Sequence, residues 1–530
     1  MEGVVVKEKD GYFWSITCLM RIRILSAALF FAFLSTSSAF ASSSVNVPFA
    51  LPLYRNMELW VAKGLIQSNL SSTRPFSRAE VGRLLAEALD KCDALKEPTT
   101  ACSDLQGPTA KYFEEEVSEV RSRGSSPSTF LKPIDALSIT YNRLSGPFSI
   151  YNNEGINYYD GNNASVQFQS RGRLWNVFSF FIQPIFSYYQ KFDQIEGNDE
   201  DELRMHKGYV KLTAGNFEVE VGRDSLWWGP GYHGALLMSN NAHPFDMVKL
   251  SNPEPTLLPW IFHWLGPFKF NLFFSELNDG RSGSNVAHPY LYGLRLNFKP
   301  HPFFEAGLSH LALFGGSGRD LSFFDVIKIL YSNKNRDNTK FESNQELAVD
   351  VALMIPNIRK LIFLADSVKL YAEGGAEDTG TLPDRRAYLV GMALYNPFAV
   401  EKAVFRVEYA DLSPGSVPAA WYSHGSYPMQ YDGRVFGHHA GSDADDIFFE
   451  WSQDIEKFFY KLGLDRERSG IQTKADVQEK NQYFGEMGYR IKDNSNITVR
   501  YSYEEITNYM NVKDDDKRNH FLGVEAALYF

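Results

Sequence analysis

Long apolar runs are what this sequence most lacks. Across 530 residues, no stretch of roughly 18 or more apolar residues occurs beyond the amino terminus, which excludes a helical membrane protein. Cysteine is almost missing too, with three in the whole chain. Positive charge is in deficit: 53 Lys and Arg face 64 Asp and Glu, a net charge of -11. That balance speaks against nucleic acid as a partner, and equally against bulk attraction to an acidic polymer. Chemical motifs are missing as well. GGSGRD at 315–320 lacks the strand-to-helix setting of a phosphate loop. Nothing in the sequence joins any of the histidines at 206, 233, 243, 263, 288 and 310 to a nucleophile. Hence no enzyme, cofactor or metal is expected.

What is present begins with an export signal. From Met20 the chain reads MRIRILSAALFFAFLSTSSAFASSS: Arg21 and Arg23 are basic, 24–34 apolar, and Ala39-Phe40-Ala41 a small-x-small cleavage site. Residues 1–41 are therefore expected to be removed, with Met20 as the simpler start. Cys18 leaves with the leader. Cys92 and Cys102 remain, and in an oxidising compartment they are expected to form a disulfide across KCDALKEPTTACSD. They are too few for a zinc site.

Residues 42–128 read as a periplasmic helical bundle and linker. Tyr54, Met57, Trp60 and Val61 recur at helical spacing before Gly64. A second helix opens at Ser77, with Glu80 three residues on as a capping box. A third is expected from Pro108 to Val120. Gly-Ser-Ser-Pro-Ser at 124–128 forms the linker.

From 129 to 530 the period changes to two. In FEVEVGR, Phe217, Val219 and Val221 face one way and Glu218, Glu220 and Gly222 the other. PFKFNLFF, YGLRLNF, ELAVDVAL, VFRVEYAD, ITVRYSYE and HFLGVEAALYF alternate likewise. A soluble sandwich would bury the apolar face, whereas a transmembrane barrel turns it to lipid. The ending favours the barrel: Leu522, Val524, Ala526, Leu528 and Phe530 share a face, like the carboxy-terminal signal of bacterial outer-membrane barrels. Loop lengths alternate short and long, as periplasmic turns and external loops do. One irregular strand near 256–264, containing Pro259, restores parity and brings the count to about eighteen strands.

Parity places the stretch GRDSLWWGPGYHGALLMSNNAHPF, residues 222–245, largely in the third external loop. Its aromatics have three readings: an interfacial girdle, packing inside a folded loop around the Gly229-Pro230-Gly231 turn, or stacking on sugar rings. In the third, Arg223, Asp224, Trp227, Trp228, Tyr232, His233, Asn240 and Asn241 are the candidate carbohydrate-binding residues. His438, His439, Asp443, Asp445 and Asp446 cluster near the end of the long 413–443 loop without regular ligand spacing, so a solvated loop is the expectation. The acidic runs at 197–202 and 514–518 are expected to be solvated as well.

The export signal, PLYRNMELWVAKGLI…RPFSRAEVGRLLAEALD, the stretch GRDSLWWGPGYHGALLMSNNAHPF and the terminal barrel strand together resemble the Wzi family of capsule-assembly outer-membrane proteins. Gly222, Arg223, Trp228, Gly229, Pro230, Gly231, Ser239, Asn241 and Ala242 are the positions that match its pattern. The resemblance implies an all-β transmembrane barrel of about eighteen antiparallel strands with a small amino-terminal periplasmic α-helical bundle, placed in the bacterial outer membrane. It further implies a lectin-like, non-catalytic surface that attaches capsular polysaccharide or a related exopolysaccharide. Outer-membrane lipid, lipopolysaccharide and polysaccharide-export machinery are the remaining expected partners. A porin-like channel is the alternative, because Lys211, Glu218, Glu220, Arg295, Lys369, Arg406 and Glu408 are read as facing the lumen.

Overall fold

The computed structural model describes residues 42–530 apart from 50, 96–101, 104, 106, 123–128, 191–198, 282–284, 332–338, 361–362, 378–384, 414 and 416–420. The export leader and the 124–128 linker lie outside the described residues, as does the start of the 197–202 acidic run.

Eighteen antiparallel strands close into one barrel. The first six are β1 (Phe130–Ser145), β2 (Gly161–Leu174), β3 (Phe178–Gln190), β4 (Asp199–Ala214), β5 (Phe217–Asp224) and β6 (Phe245–Ser251). Next come β7 (Pro267–Glu276), β8 (Tyr290–His301), β9 (Phe304–Phe314), β10 (Ser343–Ile355), β11 (Ser367–Glu377) and β12 (Arg385–Tyr395). The last are β13 (Ala403–Asp411), β14 (Ala444–Ile455), β15 (Phe458–Ser469), β16 (Gln478–Lys492), β17 (Ser495–Thr507) and β18 (Lys517–Tyr529). Closure comes from β1 against β18, registered from Ala136 opposite Tyr529 to Ser145 opposite His520. A closed ladder leaves no unpaired sheet edge in hydrocarbon, where unsatisfied N–H and C=O groups are costly.

Alternation sorts the side chains as the sequence implies. Val210, Val221, Val248, Val349 and Leu462 face outward and are exposed, while Lys211, Glu218, Glu220, Arg295, Lys369, Arg406 and Glu408 are buried inside. Aromatic residues gather at the ends of the belt. The periplasmic 3-10 turn Trp260–Leu265 exposes Trp260, Ile261, Phe262 and Trp264, as amphipathic rings do at a membrane boundary.

The strand needed for parity is present but elsewhere. Instead of 256–264, it is β6, paired with β5 and β7. Only Thr256–Leu257 retains two residues of ladder, and the chain after Pro259 turns into the 3-10 element. FDMVKLS in β6 alternates well, but its seven residues are shorter than a full span and hide behind the long aromatic stretch.

Below the barrel lie α1 (Leu53–Ala62), α2 (Arg78–Asp93), α3 (Pro108–Tyr112) and α4 (Glu114–Arg121). Ser77 caps α2 by accepting the Glu80 N–H at 3.1 Å. The Cys92–Cys102 disulfide is formed. The expected third helix is split at Phe113, which leaves helical geometry to bury its ring beneath the Arg78 guanidinium. A fifth helix, α5 (Phe323–Tyr331), lies in the external loop between β9 and β10.

Candidate functional site

Strands β5 and β6 stop part-way up the wall. Arg223 stands opposite Gly208 of β4, which continues upward to Asp199, so the chain leaves the wall at Asp224 well below the rim. The segment 225–244 then crosses into the lumen. Trp227 and Trp228 pair there with Arg74 and Thr73 from the periplasmic side, and Gly229 N–H donates to the Ser72 carbonyl at 2.9 Å. External loop and periplasmic segment thus meet inside the barrel.

Wall carboxylates hold the crossing. Glu373 on β11 accepts N–H bonds from Gly231 (3.1 Å) and Leu236 (2.8 Å). Glu408 on β13 accepts them from Tyr232 (2.7 Å), His233 (3.0 Å) and Gly234 (2.9 Å). Glu450 on β14 takes the Tyr232 hydroxyl at 3.0 Å. Buried carboxylates need such donors, and consecutive backbone N–H groups supply them, as in anion-binding turns. Gly229 makes the approach possible: its φ is +127°, and a Cβ would lie 2.2 Å from Glu373 Oε1.

An apolar cluster packs around this crossing. Leu226, Trp228, Leu236, Leu237 and Met238 pack with Phe273, Leu291, Leu311 and Leu389 of the wall and with Trp421, Tyr427 and Phe436 of the 412–443 loop. Below it the inward charges are paired: Arg295 with Asp350, Arg406 with Glu58 of α1, and Lys211 with Glu218 (2.8 Å). Burial alone would raise Glu58, but Lys369 and Arg406 hold its carboxyl down at about 2. Lys211 also donates to Asn46 Oδ1 (2.7 Å) and Arg295 Nη2 to the Ser72 carbonyl (3.1 Å), so these inward-facing charges hold the amino-terminal segment in the lumen.

Two external loops roof the crossing. The 146–160 loop is bonded through Glu154 N–H to the Asn240 carbonyl (2.8 Å) and through Asn240 Nδ2 to the Asn152 carbonyl (3.0 Å). Burial would raise Glu154, yet Lys207 and His206 draw it down to about 2. The 412–443 loop is pinned by Ser239 Oγ donating to the Gly437 carbonyl (2.6 Å) and by Asn241 Nδ2 donating to the Val435 carbonyl (3.1 Å).

Where β5 and β6 are low, the missing wall leaves an external basin of about 660 Å³. Tyr159, Tyr189, Arg204, His243, Asp279, Arg281 and Asp432 line it. Tyr159 is 39% exposed and packs edge-on against Tyr189. Among the described residues, Arg204 Nε and Nη2 have no hydrogen-bond partner, and the Glu202 carboxylate stands 4.0 Å away. Burial and the Arg204 charge push His243 down to about 3, so its neutral ring can donate at one nitrogen and accept at the other. Burial and neighbouring Asp279 raise Asp432. Exposed aromatic face, guanidinium and mixed acceptors are the groups that hydroxyl-rich ligands engage. A larger cleft, about 1380 Å³, opens on the periplasmic side between the helices and the strand ends.

Comparison with known proteins now decides the family. The profile of the family described as capsule assembly protein Wzi matches residues 142–521. This chain belongs to the Wzi family. A Klebsiella pneumoniae relative, described as an uncharacterized 55.8 kDa protein in the cps region, is 24% identical over 262 residues, 47% of either chain. The matched stretch therefore spans about half the length of that relative. Among solved structures, Escherichia coli Wzi superimposes with a TM-score of 0.67 at 18% identity, over 92% of this chain and 99% of that one. It is described as an outer-membrane protein involved in group 1 capsule assembly and as a carbohydrate-binding β-barrel. OprD of Pseudomonas aeruginosa gives 0.44 at 10% identity, over 76% of this chain and 95% of that one. With its apolar belt and closed ladder, the Wzi-family barrel described above is an outer-membrane protein.

Most side chains of the 222–245 stretch are buried. Trp228 is 1% exposed against Phe273, and Trp227 is 4% exposed beneath the Arg74 guanidinium, so neither indole offers a face to a sugar. Asp224 is buried beside Asn46 and Lys207. Tyr232 and His233 lie in the crossing, and Asn240 and Asn241 tie down the roof. Of the eight candidates only Arg223 is substantially open to the outside, ion-paired with Asp246 at 2.7 Å. The reason is the early exit of the chain at Asp224, which turns the loop inward. The basin residues escaped the sequence because they come from six separate connections and strands. Convergence of that kind leaves no spacing to read.

Proposed function

We propose that this protein binds capsular polysaccharide or a related exopolysaccharide at its outer face and attaches it to the cell without catalysis. The carrying observation is the filled lumen: among the described residues, the 225–244 crossing, the 412–443 loop and the amino-terminal segment occupy the space a channel would need. What remains open outward is the basin, with Tyr159 as stacking surface and Arg204 for carboxylate or hydroxyl groups. The description of Escherichia coli Wzi as a carbohydrate-binding barrel supports the same reading. Residues 223–241 serve it by holding the roof in place. In this reading lipopolysaccharide packs on the outer belt, and polysaccharide-export machinery meets the protein from the periplasm, where the helices lie.

The test is binding of detergent-solubilised protein to surface polysaccharide from its own organism, alongside planar-bilayer recording. Saturable binding and no conductance steps are expected. Absence of binding with stable conductance steps would hand the function to a channel.

A further inference from the structure

Under the roof, four elements bring imidazoles and carboxylates to one buried point. His233 comes from the crossing, His439 from the 412–443 loop, Asp446 from β14, and Asp465 and Glu467 from β15. The ligating atoms of His233, His439 and Asp446 lie within 4.8 Å of one another, and so do those of His439, Asp465 and Glu467.

The separations are those that a shared ion sets between its ligands. His439 Nε2 is 3.2 Å and His233 Nε2 3.5 Å from Asp446 Oδ2. His233 Nε2 is also 3.5 Å from Asp465 Oδ2, and His439 Nε2 is 3.3 Å from Glu467 Oε1. A tetrahedral ion with bonds of about 2.0–2.2 Å sets its ligands roughly 3.3–3.6 Å apart. Among the described residues, no hydrogen bond of good geometry reaches either oxygen of Asp446 or either nitrogen of His439, although the two side chains are only 2% and 1% exposed. Buried groups left in that state are costly. Charge points the same way. Asp446, Asp465 and Glu467 share one nearby ammonium, Lys480, which bonds Glu467 at 2.6 Å. His438 completes an outer layer: its Nδ1 accepts the Ala440 N–H, turning Nε2 toward Asp446 at 3.6 Å, in the manner of second-layer groups that orient ligands.

We propose that this cluster binds one divalent transition ion of the zinc class, with His233, His439 and Asp446 as ligands and Asp465, 3.5 Å from His233, as a further carboxylate beside them. The ion fastens the lumen crossing and the long external loop to the barrel wall. It is a structural clamp, with no open position for substrate. The sequence expectation of a solvated loop fails here because the 412–443 loop folds inward and buries both histidines.

The experiment refolds the full mature chain from urea into detergent, with one sample chelator-treated and the other given zinc ion, followed by gel filtration and elemental analysis. About one zinc per folded chain is expected, falling at least tenfold in His439→Ala and Asp446→Ala. A folded wild type holding under about a tenth of an equivalent after zinc treatment, or His439→Ala keeping the full equivalent, overturns the proposal. Should the variants fail to fold, cobalt ion replaces zinc in the wild type. Visible ligand-field bands of a tetrahedral site support the clamp, and a folded protein without them refutes it.

Discussion

Trp228 shows what one side chain does in this protein. Its indole fills a space bounded by Phe273 and Gly293, where a Cβ on Gly293 would come within 2.8 Å of the ring. Truncating such a fully buried aromatic costs about 3–5 kcal/mol. Trp228→Ala is therefore expected to shift urea unfolding toward lower concentration by that amount; an unchanged midpoint would mean the site is looser than described. Glu154 sets a pH dependence. Its carboxyl is held at about 2 in the folded state against an ordinary 4.5. A lowered carboxyl contributes stability that is present above the ordinary value and lost as pH falls toward the folded one. Protection of the 146–160 loop from hydrogen exchange should hold at pH 6 and decline between about 4.5 and 2, and Glu154→Gln should remove that decline. A pH profile identical in the two proteins would dissociate Glu154 from the roof.

At the scale of elements, the crossing depends on Glu373 and Glu408, which together accept five backbone N–H bonds. Removing Glu408 leaves three of those donors buried without partners, at a cost of about 1–3 kcal/mol each. Glu408→Ala should give flickering conductance in planar bilayers where the wild type is silent, and equal silence would show the plug is held by apolar packing alone. The same elements mark how far sequence reasoning reached. Alternation in FEVEVGR and YGLRLNF named the strands and even which charges point inward, because a period of two is a local property. It could not tell that those charges meet loop N–H groups and helix carboxylates. Polar lining of a channel and polar contact with a plug use identical residues, and the difference lies between Glu58 and Arg406, 348 positions apart. The misplaced sixth strand has a local cause, since Pro259 and four exposed apolar residues after it mimic a strand that the backbone does not form.

As a whole molecule, the protein is a barrel filled from both ends, with its proposed ligand surface outside. Fold and compartment were legible because the alternation along the strands reports a physical requirement of the outer membrane. The proposed place of ligand contact was not. Aromatic density drew attention to Trp227 and Trp228, whereas Tyr159, Arg204 and Asp432 are isolated in sequence and converge only through topology. The most direct measurement compares polysaccharide binding by Tyr159→Ala/Arg204→Ala with binding by Trp228→Phe, both checked for folded migration. The account predicts a loss of at least tenfold in affinity, about 1.4 kcal/mol, for the basin variant and near wild-type binding for Trp228→Phe. The reverse pattern would contradict it and return the ligand to the tryptophan stretch.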